Sequence, residues 1–133
     1  MKYVLDTNTI IYFIKGQYPQ LDVRLRHTPS QEIFIPSIVV SEIEYSARKS
    51  KDYEKTMHVY RQFLEAFTIV PYDGRMGVFY GLIRASLEKQ GKKIGPNDLI
   101  IAAETLAMGG TLVTKNPSEF RRVEGLRVED WTA

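Results

Sequence analysis

The sequence contains no cysteine among its 133 residues, which excludes both a disulfide framework and a metal site built on thiolates. It has only two histidines, His27 and His58, and neither has a partner at a spacing typical of metal ligands. Any bound metal would therefore depend mainly on oxygen ligands. The chain also lacks an apolar run approaching the roughly 18 residues of a membrane span, and its N-terminus lacks the apolar core of a signal peptide. We expect a cytoplasmic protein with no membrane segment.

Composition and charge describe an ordinary globular chain that carries local basic clusters. Hydrophobic residues make up 44% and charged residues 26%, and the formal net charge is only +2. The length suits a single domain over residues 1–133. Basic residues gather in three clusters, Arg48-Lys49-Lys51, Lys89-Lys92-Lys93 and Lys115-Arg121-Arg122-Arg127. Such clusters can bind a phosphate backbone, although a single cluster is more often a solvated helix end or loop.

Short apolar segments alternate with longer helical patterns along the whole chain. The predicted strands are Tyr3–Leu5, Ile33–Ile35, Ile69–Val70, Thr111–Val113 and a short one at Leu126–Val128. The predicted helices cover residues 9–15, about 37–49, about 52–66, about 75–90 and 97–108, with Gly91 and Gly109 as stop signals. This alternation predicts an α/β fold with three α/β/α layers around a central, mostly parallel sheet.

A carboxylate follows the first predicted strand directly. Tyr3–Leu5 ends in Asp6, and a helical pattern begins shortly afterwards. In an open parallel sheet, ligands bind at the carboxyl ends of the strands, so Asp6 is a candidate site residue. Asp is also a favoured N-cap, and the segment alone leaves both interpretations open.

A second acid lies on an apolar helix face. Ile38, Val39, Glu42 and Ile43 share one stripe at helical spacing, which directs Glu42 toward the interior. A buried carboxylate costs free energy unless it is paired or bound to a cation. A buried ion pair and a metal site are both compatible with this position.

A third acid lies at the start of the predicted helix over residues 97–108. Gly95 and Pro96 interrupt the chain, Asn97 is a plausible N-cap, and Asp98 falls in the first turn. Asp98 can simply complement the helix dipole. However, it shares its face with apolar residues of the same helix, which directs it inward.

The fourth candidate position follows the strand Thr111–Val113. The Thr114 hydroxyl either donates to a neighbouring carboxylate or merely ends the strand. Asn116 and Glu119, with Pro117 between them, fit a capping box, and capping is a more common role for Asn116 than ligand binding.

Three acids thus follow elements that direct them to one edge of the sheet. Clustered carboxylates raise one another's pKa unless a cation compensates them. Oxygen ligands without thiolates suit Mg²⁺ or Mn²⁺, and such an ion can activate a water molecule against a phosphodiester.

The order and spacing of these motifs resemble the PIN-domain ribonucleases and, more closely, the VapC toxins of bacterial toxin–antitoxin pairs. The resemblance covers essentially the whole chain and rests on Leu5-Asp6-Thr7-Asn8, Ser41-Glu42, Asn97-Asp98-Leu99-Ile100-Ile101-Ala102-Ala103 and Leu112-Val113-Thr114-Lys115-Asn116. Two further segments are similar to the toxin branch, Gly81–Ala85 through Ile94-Gly95-Pro96 and the ending Gly125–Trp131.

The resemblance implies a small α/β/α domain, usually a homodimer, that binds Mg²⁺ or Mn²⁺ and cleaves RNA, often tRNA. It also implies a VapB-type antitoxin that occupies the active-site groove and provides most of the contact with operator DNA. Asp6, Glu42 and Asp98 match the family's catalytic acids, and Thr7 or Thr114 would position a water molecule or a carboxylate.

The chain departs from the family at its fourth acidic position, which falls on Asn116. An amide oxygen can accept one metal contact but brings no charge, which weakens the case for a tightly held second metal and favours a site with one metal or one completed by the substrate. Glu119 could substitute from the next turn, although the capping interpretation of Glu119 has more support, and Asn97 ranks below Asn116.

Two other functional classes remain open from the sequence. A catalytically weak PIN-like module that partners a DNA-binding protein is compatible with Asn116, but retention of three acids favours an enzyme. A carboxylate phosphatase would need a second Asp two residues after the first, where this chain has Asn8.

Overall fold

A five-stranded sheet forms the centre of the computed structural model, which describes all residues from Met1 to Ala133. The strands are β1 (Tyr3–Leu5), β2 (Ile33–Pro36), β3 (Thr68–Val70), β4 (Thr111–Val113) and β5 (Arg127–Glu129). They lie in the order β3-β2-β1-β4-β5, and every neighbouring pair is parallel. The predicted parallel sheet is confirmed, with β5 shifted by one residue.

Seven α-helices complete the three-layer α/β/α fold. They are α1 (Thr7–Lys15), α2 (Pro19–His27), α3 (Ser37–Arg48), α4 (Tyr53–Leu64), α5 (Gly74–Lys89), α6 (Pro96–Met108) and the short α7 (Pro117–Phe120). The five predicted helices are confirmed, whereas α2 was not predicted. Only Leu21 and Leu25 of α2 are buried, so its apolar pattern is too sparse to stand out in the sequence. None of these helices combines the length and the apolar character that crossing a bilayer would require.

The start of α6 differs from the prediction. Gly95, not Asn97, is the N-cap, and Pro96 occupies the first helical position. Pro is well suited to that position because it has no N–H to leave unpaired and its φ is already helical. Asp98 still lies in the first turn, as predicted.

The buried strands explain why the sequence reads as short, continuous apolar runs. Val4, Leu5, Ile33, Ile35 and Leu112 are all fully buried. Parallel strands covered by helices on both faces have this composition, since neither face meets water. The strands therefore form the rigid centre of the fold, and the residues that follow them are fixed in position.

The strand order places a switch point beside β1. From β1 the chain first builds outward through β2 and β3, and it then returns to add β4 and β5 on the other side of β1. In open α/β sheets, the crevice beyond the carboxyl ends of the strands at such a switch point is where ligands bind. In this chain the residues immediately after β1 and β4 are Asp6 and Thr114.

Candidate functional site

Asp6 lies at the carboxyl end of β1, is 7% exposed, and is the N-cap of α1. Its Oδ1 accepts a hydrogen bond from the backbone N–H of Thr9 at 2.9 Å, which confirms the capping interpretation. Burial raises the pKa of the Asp6 carboxyl, hydrogen bonds from Thr114 and Thr9 oppose that rise, and the negative charge of Glu42 adds to it. Asp6 therefore caps a helix and also faces a second acid.

Thr9 also helps to hold this corner of the site in place, a role that was not predicted from the sequence. Its buried hydroxyl donates to the backbone oxygen of Val113 at 3.1 Å, and the N–H of Asp6 donates to the same oxygen at 3.3 Å. These bonds tie the start of α1 to the end of β4. The two sides of the switch point are thereby held together.

Glu42 is half-buried on α3 and accepts a hydrogen bond from the hydroxyl of Thr7 to its Oε1. The predicted alternative, a buried ion pair, is wrong, because the ion pairs of the structure join other residues: the N-terminus with Glu32, Arg24 with Glu129, and Arg84 with Glu88. The Glu42 carboxylate is held in place by a hydroxyl from α1 and not by a lysine or arginine.

Asp98 is half-buried in the first turn of α6, and its pKa is raised to about 6. Burial is the largest cause, and the negative charges of Glu119, Asp6 and Glu42 follow in that order. Like charges affect a pKa in this way only when they lie near one another. Acids from the end of β1, from α3, from α6 and from α7 therefore converge on one region.

Asn116 is the N-cap of α7 and Pro117 follows it in the first turn, as predicted, but the reciprocal hydrogen bonds of a capping box are absent. The Asn116 side chain makes no capping bond to α7; its Nδ2 donates to Glu119 Oε2 at 2.7 Å. Glu119 Oε1 accepts the backbone N–H of Gly95 at 3.3 Å, so this side chain bridges α7 and the start of α6. Asn116 thus holds Glu119, and Glu119 brings the fourth negative charge. The sequence signal was the spacing of Glu119 three residues after Asn116.

The region is open to solvent beside Thr114. A pocket of about 270 Å³ is lined by Asp6, Asn8, Tyr12, Thr114, Lys115 and Asn116. The Lys115 ammonium lies 4.7 Å from the centre of the Tyr18 ring, which stabilises a cation at the rim. Buried Thr114 accepts the backbone N–H of Asn116 at 3.0 Å and stabilises ionised Asp6. A polar ligand can therefore reach Asp6 from this side.

The four acids fit a hydrated divalent cation better than a tightly closed metal cage. No three Asp, Glu or His side chains lie close enough in this structure to ligate one ion together. Mg²⁺ commonly keeps several water ligands and binds through only one or two carboxylates. The negative charges of Glu119, Asp6 and Glu42 add to the effect of burial on the pKa of Asp98, and a bound cation would offset their repulsion.

Comparison with known proteins adds an independent line of evidence. The PIN domain family model matches residues 3–126. The chain is 40% identical to "Ribonuclease VapC2" of Haemophilus influenzae over 131 residues, covering 98% of each chain. It is 38% identical to the "tRNA(fMet)-specific endonuclease VapC" of Shigella flexneri, covering 99% of each chain.

Solved structures agree with these relatives. The toxin-fold chain in the crystal structure of VapBC2 from Rickettsia felis, bound to a DNA fragment from their promoter, superposes with a TM-score of 0.93 at 36% identity, covering 98% of this chain and 99% of that one. The structure of VapBC-1 from nontypeable Haemophilus influenzae gives a TM-score of 0.91 at 32% identity with full coverage of both chains.

Proposed function

The chain belongs to the PIN-domain family, among the VapC ribonucleases, and we propose that it cleaves RNA with Mg²⁺ or Mn²⁺ held at Asp6, Glu42 and Asp98, directly or through water molecules. The observation that carries this proposal is the convergence of acids from separate elements at the switch point of the sheet. Glu119 is the fourth member of the set, and Asn116 holds it in place.

Each proposed site residue has a role that follows from its contacts. Asp6 and Asp98 present carboxylate oxygens at the open edge, and Thr7 fixes one oxygen of Glu42. Thr114 favours the ionised form of Asp6, which is the form that binds a cation. A divalent ion bound there would lower the pKa of a water molecule and offset the charge of the phosphodiester.

The substrate and partners follow from the relatives. One relative bears the name of a tRNA(fMet)-specific endonuclease, so tRNA is the first RNA to test. The related structures are VapBC complexes, and that of Rickettsia felis holds promoter DNA. We propose a cytoplasmic homodimer that pairs with a VapB-type antitoxin, through which the complex contacts operator DNA. Co-purification with the protein encoded by the neighbouring reading frame tests the pairing.

The activity is tested by incubating the purified protein with tRNA in Mn²⁺ or in excess EDTA and sequencing the new RNA ends. We expect internal cleavage at defined positions with Mn²⁺ and none with EDTA. Asp6→Asn, with its fold verified by circular dichroism, should lose the cleavage. Equal cleavage by the folded variant and the unchanged protein would contradict the proposal.

A further inference from the structure

A groove of about 320 Å³ adjoins the acidic site on the other side of the first turn of α6. Pro96 and Leu99 line it, and Asp98 belongs to the same turn, so the groove and the acid lie on different faces of one helical turn, within about one helix diameter, roughly 10 Å. The volume lies at the lower end of the range for small-molecule pockets, and it suits a group of nucleotide size.

The wall of the groove is fixed to the catalytic edge. The Arg122 guanidinium donates to the backbone oxygen of Lys93 at 2.7 Å, and the N–H of Gly95 donates to Glu119. The segment before α6 is thus bonded on one side to the region of Glu119, while Lys92 and Lys93 line the groove. A nucleic-acid strand bound in the groove would therefore lie beside the four acids.

The charge of the groove complements a polyanion. Arg84, Lys92 and Lys93 line it, and its single acid, Glu88, is paired with the Arg84 Nε at 3.2 Å. Neither lysine takes part in an ion pair, so two positive charges remain available. A cluster of four carboxylates repels RNA, and neighbouring cations are needed to offset that repulsion.

The floor of the groove suits a base. Half-buried Tyr80 lies there with Leu87 and Leu99, and its hydroxyl accepts a hydrogen bond from Arg84 Nη1 at 3.1 Å. A basic rim over an aromatic and apolar floor is the arrangement by which proteins bind single-stranded nucleic acid, through phosphate contacts and base packing.

We propose that this groove binds a nucleotide of single-stranded RNA next to the scissile phosphate. Lys92 and Lys93 contact phosphates, and Tyr80 packs against the base. This proposal rests on the proposed ribonuclease function and adds a substrate subsite to it.

The test measures binding of a fluorescein-labelled single-stranded RNA of about 12 nucleotides. Excess EDTA prevents cleavage, and affinity is followed over a series of salt concentrations. The double variant Lys92→Ala/Lys93→Ala should bind more weakly, and its plot of log K against log salt should be shallower by about 1.4, because each lost phosphate contact lowers the slope by about 0.7. Lys49→Ala/Lys51→Ala removes the same charge elsewhere and should leave the slope unchanged.

A second pair of variants tests the floor. Tyr80→Leu should weaken binding about fivefold or more through the loss of base packing, whereas Tyr80→Phe keeps the ring and should bind nearly as well as the unchanged protein. If the unchanged protein cleaves RNA with Mn²⁺ but both lysine pairs alter the slope equally, or neither does, the groove proposal alone is overturned. If the unchanged protein cleaves no RNA, the proposed function itself is contradicted.

Discussion

Two acids on the same helix have raised pKa values, yet they lie in very different surroundings. Burial is the largest cause in both cases, and it raises the pKa of Asp98 to about 6 and that of Glu104 to about 7. Asp98 is half-buried and faces three other acids, whereas Glu104 is fully buried and neither of its carboxylate oxygens has a hydrogen-bond partner. Asp73, the N-cap of α5, is the charge that acts on Glu104.

The difference shows that a raised pKa does not by itself mark a functional site. The neighbours of Asp98 come from β1, α3 and α7 and meet at an open edge of the sheet, so a ligand can enter and relieve their repulsion. Glu104 has no exposed surface through which a ligand could reach it. The nearby Arg75 guanidinium donates to the backbone oxygen of Ala107 and does not pair with Glu104. The unpartnered carboxylate of Glu104 therefore lowers the stability of the fold.

The largest expected contrast is in catalysis. Asp98→Asn should lower RNA cleavage at least about 100-fold, because losing a few kcal/mol of cation-dependent stabilisation corresponds to a factor of that order. Glu104→Gln should cleave RNA at close to the unchanged rate. Initial rates on one RNA at a fixed Mn²⁺ concentration provide the measurement. Similar losses in both variants would remove the distinction between the two acids.

The next contrast concerns how the free energy of unfolding depends on pH. The Glu104 pKa is about 4.5 in a free side chain and about 7 in the fold, so the unfolded chain releases this proton first. The stability contribution of Glu104 is therefore complete below about pH 4.5, falls up to about pH 7, and stays low above it.

Glu104→Gln cannot ionise and should lack this fall. Relative to the unchanged protein, its free energy of unfolding should rise by roughly 2 to 3 kcal/mol between about pH 4 and about pH 8. Urea unfolding at both pH values measures the effect, and Glu65→Gln at an exposed position serves as the control. The same pH dependence with and without Glu104 would show that the carboxyl is not desolvated as described.

A third effect concerns the charge that Glu119 contributes at the catalytic edge. Because Glu119 is the first of the charged causes at Asp98, Glu119→Gln should lower the pKa of Asp98 below its value of about 6. Carboxyl titration by NMR in the metal-free protein measures this shift. As a control, Glu124→Gln removes an exposed charge from the same part of the chain and should leave the pKa of Asp98 unchanged. If Glu119→Gln also left the pKa of Asp98 unchanged, Glu119 would not be part of the site.

The smallest effect is expected from Thr7. Thr7→Val removes the hydroxyl that donates to Glu42 and should lower the free energy of unfolding by about 1 kcal/mol, the usual worth of one hydrogen bond. Thr7→Ser keeps the hydroxyl and should restore most of that loss. Urea unfolding distinguishes them, and equal stability of Thr7→Val and Thr7→Ser would argue against the bond.

Local patterns predicted the parts of the fold that local chemistry determines. Short apolar runs gave the strands, and the strand end at Asp6 and the helix start at Asp98 predicted two acids at one edge. The N-cap of α6 was misplaced at Asn97, because Pro96 already supplies the helical φ one residue earlier. The order of the strands was not predicted, since it depends on pairing between distant segments.

The fourth acid shows why the rest of the site needed the structure. From the sequence, Glu119 best fitted a capping role within its own helix. While its Oε2 accepts from Asn116, its Oε1 accepts the N–H of Gly95, which lies 24 residues away and is brought close only by the fold. Burial of Glu104 likewise depends on how α5 packs against α6, which no local pattern reveals.

Thermal unfolding with Mn²⁺ tests most directly whether the converging acids form a cation site, because it does not require the correct RNA. A cation that binds only the folded state stabilises it, by about 1.4 kcal/mol at ten times its Kd. We predict that millimolar Mn²⁺ raises the Tm of the unchanged protein and of Glu104→Gln but not that of Asp98→Asn. An unchanged Tm in the wild-type chain, or an equal rise in Asp98→Asn, would contradict the account.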